Sequence, residues 1–483
     1  MSSDEARTAR EEWGTRFGFL MAMVGAMVGS GNIWRMPYIT GKYGGGAFLV
    51  VYLFLLFVIA VPGLMAETML GRYTGKGVIG TFRDVLGSGR SEGFGLVVLI
   101  VNIALMSYYA PIIGWTLYYM INSFLLTFFQ SGFAALAFWE SFIGSPVLTI
   151  GMHTITMLLI GGALFFGISR GIERVVKWMI PALVVALIAV AIRAVTLPGA
   201  IAGLEFLFTP DWEYVFRADT WTAALGQVLF STGLGWGIAL TFGSYLRKHD
   251  DVALGGLFTA VGNTSVGLIA IFAIFPAVFA FGIEPTTGSE LTFITLVQVF
   301  PRMPAGPVWA ILFFVAFFFA TYSSGLGITE VSVTTVNEET RLSRRQTVAA
   351  ITFVIWLLGL PSAYSQSFLN TMDFMFGSWG LPLATLCIIG LVGWKLRPER
   401  FRVLELNRNS DIHVGQWWNP IIKYVIPFVM IFIMGFFVVT GLETPIQTIG
   451  GLVLVAVILV VSIFIMGLLR RSRPAEGVPG GDD

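Results

Sequence analysis

Residues 25–37 read G-A-M-V-G-S-G-N-I-W-R-M-P. Gly25, Gly29 and Gly31 fall close together, with Asn32 and Arg35 just beyond, in a stretch otherwise apolar enough to cross a bilayer. Hydrocarbon offers no hydrogen-bond partner, so a spanning helix must satisfy its own backbone. A sequence that interrupts such a helix presents carbonyls and amides to something polar, and an ion or a small charged solute is the chemistry that needs them. A second stretch, S-T-G-L-G-W-G at 231–237, interrupts another apolar run in a comparable way. Close packing of helices through small residues is the competing explanation, and Gly25 with Gly29 fits its spacing. A second break with polar neighbours favours binding.

Other polar groups at depth are neutral: Asn32, Ser231, Asn263, and the pair Ser323 and Ser324. Amide, hydroxyl and carbonyl oxygens suit a hard monovalent cation that must also leave; a divalent ion would recruit carboxylates. Each of these residues equally serves as a hydrogen-bonding link between helices. Charged residues at depth are costlier and more informative. Glu67 either accepts from amides freed by a helix break or pairs with Arg72 near an interface. Arg35 and Asp373 are placed to form an openable latch at one entrance, Arg10 and Glu338 at the other. The alternative for each is a surface ion pair, worth about 0–1 kcal/mol.

The elements that position these groups are membrane helices. Of 483 residues, 56% are hydrophobic and only 12% charged, the composition of a polytopic membrane protein. A net charge of +1 argues against nucleic acid as a partner. The single cysteine, Cys387, excludes an internal disulfide, and His153, His249 and His413 lack metal-ligand spacing. The polar N-terminus lacks a cleavable-signal pattern, so the first span is expected to be retained.

Twelve spans are predicted, at 14–40, 46–71, 93–128, 147–168, 172–197, 221–247, 253–283, 307–338, 345–362, 369–394, 419–441 and 447–469. With the N-terminus inside, the inner loops collect 23 of the 29 Lys and Arg, which places both termini in the cytoplasm of a plasma-membrane protein. The interrupted spans are the first and sixth, five apart. This pattern predicts an inverted repeat with a midplane site between halves at 14–200 and 221–394. A cytoplasmic segment 1–13, a loop 395–418, a helix pair 419–469 and a tail 470–483 complete the plan.

Several ordered stretches resemble the neurotransmitter:sodium symporter family, in its prokaryotic branch. They are G-N-I-W-R-M-P-Y (31–38), G-G-G-A-F (44–48), E-T-M-L-G-R-Y (67–73), S-Y-Y-A-P-I-I-G-W (107–115), I-S-R-G-I-E-R (168–174), the run 221–248, L-T-F-I-T-L (291–296), F-A-T-Y-S-S (319–324) and L-S-R (342–344). The resemblance implies the five-plus-five helix fold of the bacterial leucine transporter (LeuT) and sodium-coupled import of an amino acid by alternating access. It assigns one sodium to carbonyls of Gly25, Val28 and Ala320 with hydroxyls of Ser323 and Ser324. It assigns a second to the Met27 carbonyl, Asn32, Ser231, Asn263 and the substrate carboxylate. Substrate contacts would come from Ala26, Gly29, Leu105, Tyr109, Phe230, Ser231, Gly233, Trp236, Ser324 and Ile328. Gly29 stands where monoamine carriers place an aspartate, which implies an amino-acid substrate. The apolar lining implies a hydrophobic or neutral one.

The chain departs from its relatives at three points. Ala26 replaces an asparagine of the leucine transporter, and Met27 a smaller alanine. Gly267 replaces the serine of chloride-dependent members, while Tyr52, Gln227, Ser231 and Asn263 keep the rest of a chloride cage; weak chloride or proton participation is the resulting expectation. Gly171 and Pro181 in the fifth span resemble an unwinding point that admits water to the serine sodium site, or else an ordinary helix start and kink. Three rival readings remain. A channel would show pore-lining rings, and an enzyme a nucleophile with its base or a metal cluster. Another broken-helix sodium symporter family is separated only by the motifs above.

Overall fold

The computed structural model describes residues 11–87, 89, 91–282, 291–440, 452, 453, 455–457 and 460. Arg10 and most of the expected span 447–469 lie outside these residues. Among the described residues the regular structure is all helical. Nine continuous helices and one bent pair among the described residues are long and apolar enough to cross a membrane. The bent pair is α1 (Arg16–Met27) and α2 (Gly31–Lys42), which meet at 55°. In chain order the others are α3 (Gly46–Thr74), α4 (Glu92–Phe124), α5 (Pro146–Leu164), α6 (Ile168–Val195), α9 (Val252–Ala280), α10 (Gly306–Glu339), α11 (Arg344–Tyr364), α12 (Gln366–Lys395) and α13 (Trp418–Phe436). Between α6 and α9 lie α7 (Ala218–Thr232) and the short α8 (Ile238–Gly243).

Helix ends follow local chemistry. The Thr15 hydroxyl accepts from the Gly18 amide at 2.9 Å to start α1, and Asp251 accepts from Leu254 N at 2.9 Å to start α9. Ser343 and Gln346 form a reciprocal capping box at α11, which relieves the unpaired amides of a first turn. Helix α7 stops because Gly233, Gly235 and Gly237 all take left-handed φ, +64°, +85° and +75°, a conformation that side chains with a Cβ resist.

The most buried helices are α4 and α10, which pack along each other at the centre. Helices α5 and α11 cover one side of this pair, while α6 and α9 pack together and flank α1. Backbones approach closely where glycines allow it. A Cβ on Gly71 would stand 1.9 Å from the Leu240 carbonyl, and one on Gly243 2.4 Å from that of Thr68, so α3 and α8 are held almost in contact. A similar restriction holds at Gly171, where a Cβ would come within 2.3 Å of the Ala163 carbonyl. Helix α6 runs unbroken through Pro181.

At one end of the bundle, Arg83 meets Glu92 at 3.0 Å and Glu339 at 2.5 Å. Partial burial opposes the guanidinium charge, but the two carboxylates outweigh it and hold the Arg83 pKa above its ordinary value.

The packing predicts that Gly71→Ala destabilises the protein by about 1–3 kcal/mol or more, because the opposing atom is backbone and cannot rotate away. Gly162→Ala, where a Cβ meets nothing within 4 Å, should be neutral. Thermal unfolding in detergent checks both; equal melting temperatures would refute the close α3–α8 approach.

Candidate functional site

The gap between α1 and α2 leaves Val28 and Gly29 outside regular helix, and side chains from α4, α7, α9 and α10 reach the gap or the first turn of α2. The Gly29 amide donates to Asn32 Oδ1 at 3.1 Å, and the Ser30 amide donates to the Tyr109 hydroxyl of α4 at 3.1 Å. Gln227 Nε2 of α7 donates to the Gly31 carbonyl at 2.7 Å. Asn32 Nδ2 donates to the carbonyl of Asn263 at 2.8 Å and to its Oδ1 at 3.0 Å; Asn263 Nδ2 donates to Ser231 Oγ at 2.9 Å. Asn32, Asn263 and Ser231 therefore form one continuous polar chain from α2 through α9 to α7, with each residue buried.

The second gap is braced as well. Glu67 Oε1 accepts from the Gly235 amide at 2.7 Å. Asn102 Nδ2 donates to the Trp236 carbonyl at 3.0 Å and is itself oriented by Ser332, 2.8 Å from its Oδ1. Thr385 Oγ1 reaches the Leu234 carbonyl at 3.3 Å. Of the two readings of Glu67, the amide acceptor is the one realised: Arg72 turns away to the carbonyls of Asp250 and Glu405.

A Cβ at position 25 would meet Ile180 of α6 at 2.9 Å and the Cβ of Ser323 of α10 at 3.5 Å, and Ser323 Oγ donates to the Ala320 carbonyl at 3.0 Å. A Cβ on Gly29 would meet the Tyr109 hydroxyl at 2.5 Å and Ser324 Oγ at 3.2 Å. Gly29, Tyr109 and Ser324 thus converge on one small space. Around it, Leu105, Trp236 and Ile328 are buried, and Phe230 meets Trp236 edge to face with centroids 5.6 Å apart. Ala26 touches α10 at Gly327. Among the described residues no cluster of His, Cys, Asp or Glu stands ready for a metal; the available ligands are neutral oxygens.

Two methionines change the reading of positions judged by size alone. The sulfur of Met27 lies 2.3 Å from where a Gly233 Cβ would stand, so the room left by that glycine is taken by a thioether. Met36 does the same at Gly267, its sulfur 2.5 Å from a Cβ there. Nearby, Tyr52 pairs with Thr264 at 3.2 Å. Tyr52, Gln227 and Asn263 therefore each make a hydrogen bond within the protein, while Gln227 Oε1 is buried without a partner among the described residues.

Arg35 and Asp373 both line two adjoining cavities of about 190 and 300 Å³, which also share Phe230. The expected latch is not closed: Arg35 reaches the Gly226 carbonyl at 3.5 Å and stacks over Phe230 at 4.9 Å, with no direct ion pair to Asp373. Glu338 accepts from the Gly77 amide at 2.7 Å. The opposite end of the bundle is shut by groups that sequence reasoning missed. Trp13 is buried, donates to the Phe242 carbonyl at 3.0 Å and stacks edge-on against that ring at 5.2 Å. Glu330 is fully buried and binds Arg344 at 2.8 Å and the Tyr245 hydroxyl at 2.9 Å. A carboxylate inside the apolar run of α10 was a visible signal for Glu330; nothing local marked Trp13.

The model of the sodium:neurotransmitter symporter family matches residues 10–132 and 125–466. The chain belongs to that family. An uncharacterized sodium-dependent transporter of Haemophilus influenzae is 32% identical over 447 residues, covering 88% of this chain and 97% of the relative. A sodium- and chloride-dependent GABA transporter of Drosophila melanogaster is 28% identical over 451 residues, covering 82% and 48%. Among solved structures, MhsT in complex with L-phenylalanine matches with a TM-score of 0.81 at 32% identity, covering 88% of this chain and 99% of MhsT. This symporter is therefore a multi-pass, sodium-dependent membrane transporter and not an enzyme.

Glu67 offers a direct test of the braced gap. Glu67→Leu leaves the Gly235 amide buried without an acceptor, which costs about 1–3 kcal/mol. Glu67→Gln keeps an acceptor oxygen and should stay near the parent. If melting temperatures show the two variants equally stable, the carboxylate does not hold the gap.

Proposed function

We propose that this symporter imports a hydrophobic or neutral amino acid with two sodium ions by alternating access, through twelve spans arranged as two inverted five-helix halves, 14–200 and 221–394. The observation that carries the proposal is the convergence on the α1–α2 gap. Gly25 meets Ser323 on one side, and the Asn32–Asn263–Ser231 chain stands on the other. The first set, with carbonyls of Val28 and Ala320 and the Ser324 hydroxyl, would hold one sodium. The second set, with the Met27 carbonyl, would hold another beside the substrate carboxylate. A carboxylate at Gly29 would sit by the Tyr109 hydroxyl and the first amides of α2, where the helix dipole favours negative charge.

The apolar groups at Leu105, Phe230, Trp236 and Ile328 support an uncharged substrate side chain, and the likeness to a transporter crystallised with L-phenylalanine points the same way. The cavities bounded by Arg35 and Asp373 would form the outer entrance, and the Trp13 and Glu330 contacts the closed cytoplasmic side. This assignment rests on the basic residues of the inner loops. Chloride or proton participation is weak in this reading, because Met36 occupies the space beside Gly267 and Tyr52, Gln227 and Asn263 each bond within the protein.

Uptake of labelled amino acids into proteoliposomes tests the central claim: accumulation should need an inward sodium gradient, and apolar amino acids should compete best. Absence of sodium-dependent uptake, or strongest competition by lysine or glutamate, would overturn it. Ser323→Ala should raise the sodium concentration for half-maximal uptake about tenfold, the effect of losing about 1.4 kcal/mol. Replacing chloride by gluconate at fixed pH should change the rate little; a large fall would restore chloride to a full part in the cycle.

A further inference from the structure

Away from the two gaps, an apolar groove of about 570 Å³ runs along the outer face between α5 and α11, a volume within the range of small-molecule sites. Its depth comes from missing side chains. Position 162 has open space where a Cβ would stand, and Gly161 lets Thr352 approach to 3.1 Å of the corresponding point. Phe165 and Val348 line the groove towards one end and Trp356 towards the other. The Trp356 indole nitrogen is already bonded to Thr154 Oγ1 at 3.0 Å, so the wall offers little to a polar guest.

One end of the groove is different. Arg345 stacks over the Phe165 ring at 4.8 Å, is exposed, and makes no ion pair among the described residues. Its neighbour Arg344 turns inward to Glu330. A long apolar slot on a membrane-facing surface, ended by an unpaired cation, is complementary to a molecule with an acyl tail and an anionic head. Aliphatic chain in the slot satisfies the apolar wall, and a phosphate over Arg345 makes a charge-assisted hydrogen bond.

We propose that this groove is a binding site for an anionic phospholipid, with one acyl chain between α5 and α11 and its phosphate on Arg345. The proposal rests on the membrane location of the chain but not on its substrate or ion count, so uptake results and lipid results fail independently. Leaflet charge adds to the attraction, since anionic headgroups draw basic residues at the membrane surface.

Native mass spectrometry of the full chain, purified with phosphatidylglycerol or phosphatidylcholine, tests the site. The parent protein should retain one phosphatidylglycerol. Arg345→Gln and Gly162→Phe should each lower the retained fraction at least fivefold; the second fills the groove without entering the core. Brominated-chain phosphatidylglycerol should quench tryptophan fluorescence in the parent by more than in Trp356→Phe. Unchanged retention in both groove variants overturns the proposal. So does a parent that retains no lipid while a Phe353→Cys variant cross-links two copies, which would assign the face to a second protomer. Sodium-dependent thermal stabilisation of each variant checks that it is folded.

Discussion

A backbone inside hydrocarbon has no water to fall back on, and that constraint organises this molecule. Each interrupted helix releases amides and carbonyls that must be met by protein or by cargo. Around the first gap, Tyr109, Asn32 and Gln227 take that role; around the second, Glu67, Asn102 and Thr385 do. Tyr109, Glu67, Asn102 and Thr385 come from helices that cross without a gap, whereas Asn32 and Gln227 belong to the interrupted helices themselves. The long central pair α4 and α10 is the most buried part of the described bundle and packs along its length.

The two ends of the bundle are built differently. One is closed by a buried indole, a buried carboxylate with its arginine, and a phenol, all engaged with each other or with backbone. Breaking such a set exposes uncompensated charge, so it holds firmly until something replaces its partners. The other end holds two cavities in which Arg35 and Asp373 stand apart. Among the described residues the two ends therefore differ, and Phe230 lines both cavities on the less closed side.

Much of this was legible in the residues, and the parts that were not share a cause. Span positions followed from apolar length: 93–128 was expected and the helix is Glu92–Phe124, while 369–394 compares with Gln366–Lys395. The glycines at 233, 235 and 237 announced a break because residues with a Cβ resist that backbone. Partner choice across long sequence separations was not legible. Glu67 had two plausible partners, and only the fold places Gly235 beside it, 168 positions away. Glu338 was matched to Arg10, which lies outside the described residues; that Glu338 also accepts from the Gly77 amide, 261 positions away, was not legible. Gly267 could be recognised as a missing side chain; that Met36 would occupy the vacancy depends on how α2 and α9 face one another.

The methionine beside Gly233 has a further consequence. A rigid wall would fix the volume of the central space once and for all. A thioether on an unbranched stem can move among several rotamers at little cost and stays attractive to both aliphatic and aromatic neighbours. In the proposed site Met27 would make one side of the chamber compliant, so that selectivity by bulk would be graded rather than absolute. The chain carries an adjustable filler on the same short segment whose carbonyls are proposed as ion ligands, which would tie the fit of the cargo to the geometry of those ligands.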